Sequence, residues 1–160
     1  LVELMFECEQ LEPQSRLGCG TGWSGPKNLF AKHLDNPAMH WLAQSIQAAA
    51  MGMFGPGAVN LRWCAWGNIM RRGDHIEPHN HEKSHVGGKN LWAGCYYVQV
   101  ENWRGFGGTI EFIEPGSRTT FDPKAGELLV FPARQGHEVP TYNRELPRIS
   151  IGLNARMEGE

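Results

Sequence analysis

Arg148-Ile149-Ser150-Ile151-Gly152-Leu153-Asn154 alternates without a break. In an extended chain this puts Arg, Ser, Gly and Asn on one face and Ile, Ile and Leu on the other. If the aliphatic face packs against a covering layer, Arg148 and Ser150 look into a barrel. A guanidinium is costly there unless an anion meets it, and a bidentate carboxylate is its natural partner. An ordinary amphipathic strand with its polar face in water has the same alternation, and pattern alone leaves both readings open.

Working outward from that strand, taken as 147–154, seven more short segments read as β: 61–70, 76–82, 92–101, 108–113, 119–122, 126–132 and 136–139. Several are rich in Ile, Val, Tyr, Phe and Trp, with breaks at Gly73, Gly87-Gly88, Gly105 to Gly108, Pro115-Gly116 and Pro123. The 20 Gly, 10 Pro and 6 Trp also favour a compact β protein over a helical bundle. Ahead of the strands, Asp35-Asn36-Pro37 reads as a helix start, a capping side chain followed by proline in the first turn. Met39, Leu42, Ile46, Ala49 and Met53 then form one apolar stripe, assigned to packing, on a helix ending near Gly52 to Gly57. Residues 8–30 are rich in Gly, Ser and Pro and read as loop. The expected fold is mainly β: a double-stranded β-helix (jelly roll) with an N-terminal supporting helix. It is expected as one domain over 1–160, with loop plus helix in 1–60 and the β-helix core in 61–155. Such a barrel has a mouth where inward side chains from several strands meet.

A chain of 160 residues, 41% hydrophobic and 20% charged, suits one globular core and is too apolar for disorder. No apolar run approaches the ~20 residues needed to cross a bilayer. The net charge of −2, without a long like-charge run, argues against nucleic acid or a membrane surface as partner. Cys8, Cys19, Cys64 and Cys95 lie far apart with no CxxC pair, and are read as reduced, buried thiols of a cytoplasmic protein. The N-terminus carries Glu3 and Glu7 where a signal peptide would be basic, and a start at Leu1 suggests a trimmed or partial chain.

Of the 7 histidines, His75, His79, His81 and His85 fall within eleven residues. In Pro78-His79-Asn80-His81 the two histidines share a strand face, about 6–7 Å apart along the backbone, and can converge on one metal ion, while Asn80 faces away. An isolated HxH is at least as often a solvent-facing stripe. The segment Gly126-Glu127-Leu128-Leu129-Val130-Phe131-Pro132 followed by His137 shifts the balance, because a distant strand then delivers a third imidazole. His33 and His40 are expected at the surface. Arg71, Arg72, Arg104, Trp92 and Trp103 are candidates for an entrance, with exposed Arg and core Trp as the default.

Trp66-Gly67-Asn68-Ile69-Met70-Arg71-Arg72-Gly73-Asp74 and Pro78-His79-Asn80-His81 resemble the iron- and 2-oxoglutarate-dependent oxygenases, in particular a bacterial and phage subgroup. Gly94-Cys95-Tyr96-Tyr97-Val98, Gly107-Gly108-Thr109-Ile110-Glu111-Phe112, Gly126 through Pro132, His137-Glu138-Val139 and Arg148-Ile149-Ser150 continue the likeness in order, over roughly residues 60 to 155. The resemblance implies a dioxygenase that hydroxylates a small-molecule or peptidyl substrate, consuming dioxygen and releasing succinate and CO2. It implies Fe(II) on His79 and His137, with 2-oxoglutarate held by Arg148 and helped by Ser150 and Tyr97. Asn68 is a weaker co-substrate candidate. The sequence departs from the family at His81, where most members carry a carboxylate. The third ligand is read as His81, since Asp74, Glu77 and Glu82 lack the matching spacing, and a neutral ring leaves one more unit of positive charge at the metal.

Two other readings compete. Gly73 with His79-Asn80-His81, His85 and then Gly126, Pro132 and His137 also resembles the two cupin motifs, although Arg134 stands where glycine is expected. A non-catalytic small-molecule-binding barrel is the third. Arg148-x-Ser150 discriminates, because a dicarboxylate co-substrate needs it and a cupin does not. The prime substrate and the oligomeric state are not legible.

Overall fold

The structure is a computed structural model and describes residues 1–15, 19–83, 90–101 and 108–157. The turn positions Gly87, Gly88 and Gly105 to Gly107 lie outside them, as do His85, Trp103 and Arg104. Among the described residues the order is α1 (Val2–Leu11), β1 (Trp23–Ser24), α2 (Leu29–His33), α3 (Pro37–Phe54), a 3-10 turn (Pro56–Asn60), β2 (Leu61–Met70), β3 (Ile76–His79), β4 (Trp92–Gln99), β5 (Ile110–Glu114), β6 (Ser117–Phe121), β7 (Leu128–Pro132), β8 (Gly136–Val139) and β9 (Arg148–Met157). The strands make two antiparallel sheets, ordered β1-β2-β9-β4-β7 and β3-β8-β5-β6. The protein is mainly β and has the jelly-roll architecture. No helix among the described residues is long and apolar enough to cross a membrane.

The supporting helix starts and stops where its caps dictate. The Asn36 side chain accepts hydrogen bonds from the Ala38 and Met39 amides at 3.0 and 3.4 Å, Pro37 opens the first turn, and Gly55 closes the helix at φ 78°. Its buried row differs in part from the expected stripe. Met39, Leu42, Ile46 and Ala50 are buried, whereas Met53 is 52% exposed. The row advances in steps of four past Leu42 and reaches Phe54, which stacks on Trp92 at 4.4 Å, so Ala49 and Met53 turn away from its centre.

The first sixty residues hold more than a loop and one helix. Helix α1 takes in residues 8–11 of the stretch expected to be loop, and α2 covers its last two residues. Helix α1 lacks a side-chain cap at Leu1 and exists because Leu4, Met5 and Cys8 are buried against the large sheet. Tertiary burial overrides the weak local signal. At five residues, α2 is too short to show a period. These helices cover the face of β2 and β9 that carries Ala65, Ile69, Ile149, Ile151 and Leu153.

The strand limits move by a few residues, and one shift matters. Strand β3 stops at His79, not at 82, and lies at a sheet edge, where Pro78 costs no ladder hydrogen bond. On the inner face of the large sheet, Gly152 stands between Trp66 and Cys95. A Cβ at Gly152 would fall 2.5 Å from the Trp66 ring, so glycine there is what lets the indole lie over β9. Gly152→Ala is therefore expected to destabilise the protein by about 1–3 kcal/mol, read as a lower urea midpoint. A change below about 0.5 kcal/mol, the range of neutral surface substitutions, would contradict this packing.

Candidate metal centre and its cavity

Strands β3 and β8 place His79 directly opposite His137. His81 lies two residues past the end of β3, yet its position is fixed: its amide donates to the Ala133 carbonyl at 2.8 Å and its carbonyl accepts from Asn90 Nδ2 at 2.7 Å. The potential ligand atoms of His79, His81 and His137 all lie within 4.8 Å of one another. Ring centroids are 4.8 Å apart for His79–His81, 4.3 Å for His79–His137 and 5.1 Å for His81–His137.

Hydrogen bonding decides which nitrogens are free. His79 Nδ1 lies 2.8 Å from the Glu77 carbonyl and His137 Nδ1 lies 3.0 Å from the Gln135 carbonyl. A carbonyl only accepts, so each Nδ1 carries the proton and each Nε2 is left with its lone pair for a metal. Burial pushes the pKa of His79 below its ordinary value, with the Glu77 carbonyl opposing and Lys27 adding to the effect. His137 is pushed down to about 4, chiefly by burial beside Phe131, again with a carbonyl opposing. Both rings are neutral at neutral pH, the form that ligates.

The three rings line a cavity of about 620 Å³. Arg148, Ser150, Tyr97 and Asn68 line the same cavity, so the structure brings all seven candidate residues together. Arg148 is 1% exposed. Its Nε donates to the Gly108 carbonyl at 3.1 Å and its Nη1 to Ser150 Oγ at 3.2 Å and Met70 Sδ at 3.6 Å, while the guanidinium lies 5.1 Å over the Tyr97 ring. No carboxylate among the described residues pairs with it. The buried Tyr97 hydroxyl finds no oxygen or nitrogen partner among the described residues and lies beside the Cys95 thiol, and desolvation drives its pKa far upward. Asn68 is partly committed elsewhere, accepting a 2.7 Å hydrogen bond from Ser24 Oγ.

Other expectations fall differently. Asn80 does not face away but lies on the cavity rim, because the strand alternation ends at His79. Arg71 is paired with Glu9 at 2.7 Å and Arg72 with Glu145, both outside the cavity lining, as is Trp92. Asp74 accepts from the Arg71 amide. His40 is exposed, but His33 is half-buried, with Nε2 3.5 Å from Cys8 Sγ. Cys8 is buried and the other three thiols are partly so, and all four are free. Residues not foreseen in the cavity include Lys27, Trp66, Met70 and Cys95. The period-2 rule could have found three of them, since Trp66 and Met70 share a β2 face with Asn68 and Cys95 shares a β4 face with Tyr97.

A sequence-family model described as "Putative 2OG-Fe(II) oxygenase" matches residues 64–154. Among solved structures, a prolyl-4-hydroxylase from Pseudomonas putida is 19% identical and superposes with a TM-score of 0.64, over 98% of this chain and 85% of that one. A prolyl hydroxylase from Trichoplax adhaerens, bound to a hypoxia inducible factor peptide, is 17% identical with a TM-score of 0.65, over 98% and 78%. A non-heme alpha-ketoglutarate-dependent epimerase from nogalamycin biosynthesis is 18% identical with a TM-score of 0.64, over 98% and 72%. No curated protein sequence matches the chain. At these identities the three structures speak for the fold alone.

If the three rings act as one ligand set, His79→Ala, His81→Ala and His137→Ala should each weaken Zn(II) or Co(II) binding at least about tenfold, a loss of roughly 1.4 kcal/mol. Isothermal titration of the folded variants checks this, and wild-type affinity in any of them would remove that ring from the set.

Proposed function

Because this chain belongs to the 2OG-Fe(II) oxygenase family, we propose that it is a non-haem Fe(II)- and 2-oxoglutarate-dependent dioxygenase of the hydroxylase type, acting on a small-molecule or peptidyl substrate. The residues present fit the implied groups. Three imidazoles, two of them neutral with Nε2 left for a metal, suit a divalent cation of intermediate softness. A buried guanidinium without a counter-ion suits a carboxylate. His79, His81 and His137 would hold the iron, and Arg148 would pair with the far carboxylate of 2-oxoglutarate. When bound, the metal supplies the coupling of dioxygen reduction to decarboxylation of the co-substrate and oxidation of a C–H bond. The balance is substrate, 2-oxoglutarate and O2 giving hydroxylated substrate, succinate and CO2.

The chain's own part is binding, orientation and exclusion of water. Ser150 accepts from Arg148 and so fixes the direction of the fork, and Gly108 anchors its Nε. The Tyr97 hydroxyl, kept protonated by burial, would donate to a co-substrate oxygen. The Asn68 side chain, its oxygen held by Ser24, would present its amide N–H side. Phe131 and Phe112 border His137 and keep that ligand dry.

The single observation behind the reading is Arg148, buried to 1% exposure and unpaired by any described carboxylate, in the same cavity as the three rings. An unpaired buried charge is a cost to folding that a ligand removes. His81, in the position where most of the family has an acid, favours as second reading a barrel that binds without catalysis.

Two outcomes follow. Arg148→Met should leave Zn(II) binding intact and the ligand-free protein at least as stable. It should cost 2-oxoglutarate about 2–5 kcal/mol of binding, roughly thirty-fold or more. Equal 2-oxoglutarate affinity in the variant would end the proposal. Separately, the Fe(II)-loaded protein should release succinate from 2-oxoglutarate in air and not under argon. Tight binding of metal and 2-oxoglutarate without any succinate would instead favour the non-catalytic barrel.

A further inference from the structure

The cavity continues beyond the residues used so far. Trp66 lies over Gly152, four residues along β9 from Arg148 and so roughly 13 Å away along the strand. The Lys27 ammonium sits 4.8 Å from the centre of the Trp66 ring, and Trp66 in turn lies 5.6 Å from the His81 ring. Both Lys27 and Trp66 line the cavity. The turn carrying Lys27 is tied to the strand beside Trp66, since the Gly25 amide donates to the Gly67 carbonyl at 2.9 Å. The titratable neighbours of Lys27 are the thiols of Cys64 and Cys19 and the His79 ring, and no carboxylate among the described residues pairs with it. Burial pushes its pKa below the ordinary value, with the two thiols opposing.

We propose that Lys27 is a specificity-determining residue for the prime substrate, which carries a carboxylate or phosphate engaged by this ammonium while its adjoining planar part lies along Trp66. The inference rests on the oxygenase reading for the place where the substrate reacts. The two cations reach the cavity from different places in the fold, Arg148 from β9 and Lys27 from the turn before α2. The end carboxyl carbons of 2-oxoglutarate are four C–C bonds apart, roughly 5 Å, against roughly 13 Å between the strand positions of Arg148 and the Trp66 platform. The anion proposed for Lys27 is that of a second molecule, which the test separates from 2-oxoglutarate by saturating the latter first. Because Trp66 also borders His81, that molecule would lie one indole width from the metal centre. A lysine that merely shielded the indole would show no preference between charged and uncharged ligands.

The test uses the full chain loaded with Zn(II) and saturated with 2-oxoglutarate, and follows benzoate, phenyl phosphate and uncharged benzamide by ligand-observed NMR. Benzoate or phenyl phosphate is expected to bind at least tenfold more tightly than benzamide. Lys27→Met should abolish that preference and Lys27→Arg should keep it, with Lys27→Gln as the neutral variant if the methionine form does not fold. Wild-type anion affinity in the neutral variant, benzamide binding as tightly as benzoate, or no binding of either anion overturns the proposal. Titration of 2-oxoglutarate alone into the same Zn(II)-loaded protein separates the two layers. Its failure to bind would remove the oxygenase reading, while the preference set by residue 27 is still read from the paired variants.

Discussion

Strand β9 is hydrogen-bonded on both sides, to β2 and to β4, and both of its faces are committed. Ile149, Ile151 and Leu153 are fully buried beneath the helices, and each contributes roughly 1.5–3 kcal/mol by leaving water. Arg148, Ser150 and Gly152 face the cavity. A slip of one residue would exchange the two sets, placing a guanidinium under the helices and three aliphatic side chains in the cavity. The helical cover and the cavity are thus two consequences of one register. The proposed co-substrate anchor stands opposite Met70, and the platform under Lys27 lies on the same strand.

The charges of the cavity follow from that arrangement. Three imidazoles gather together, and the Arg148 guanidinium and the ammonium groups of Lys27 and Lys83 share the lining with the carboxylate of Glu82. A divalent ion held by three uncharged rings would keep its full charge, where a carboxylate ligand would reduce it by one unit. On the proposed reading such a site would favour anionic visitors, and a dicarboxylate co-substrate would supply the neutralisation that the third ligand does not. His81 and the unpaired cations are one electrostatic pattern, and the proposed function and the substrate inference both draw on it.

Much of the fold was legible because period-2 patterns write themselves into the sequence. The alternation in β9, the apolar run of β7 and the Asn36-Pro37 helix start each show locally what they do in space. What stayed hidden was non-local. Helix α1 has no capping side chain and depends on Met5 reaching Gly67, sixty-two positions later. Asn80 entered the cavity lining because the strand ended two residues before His81, a limit set by pairing with β8. The seven candidate residues were named from an HxH pair, a distant histidine and a family likeness, and they do line one cavity. Lys27 was out of reach, because a loop residue meets Trp66 only after β1, β2 and β9 have assembled.

Two of the three rings take their orientation from the main chain. His79 and His137 each donate Nδ1–H to the carbonyl two residues earlier, so the same local contact occurs on both partners of one strand pair. No side chain holds the tautomer, and no single substitution at Glu77 or Gln135 deletes the acceptor. Such a site is robust to genetic drift around it. The third ring, beyond the end of its strand, is positioned separately, through the main-chain bonds of His81 to Ala133 and Asn90.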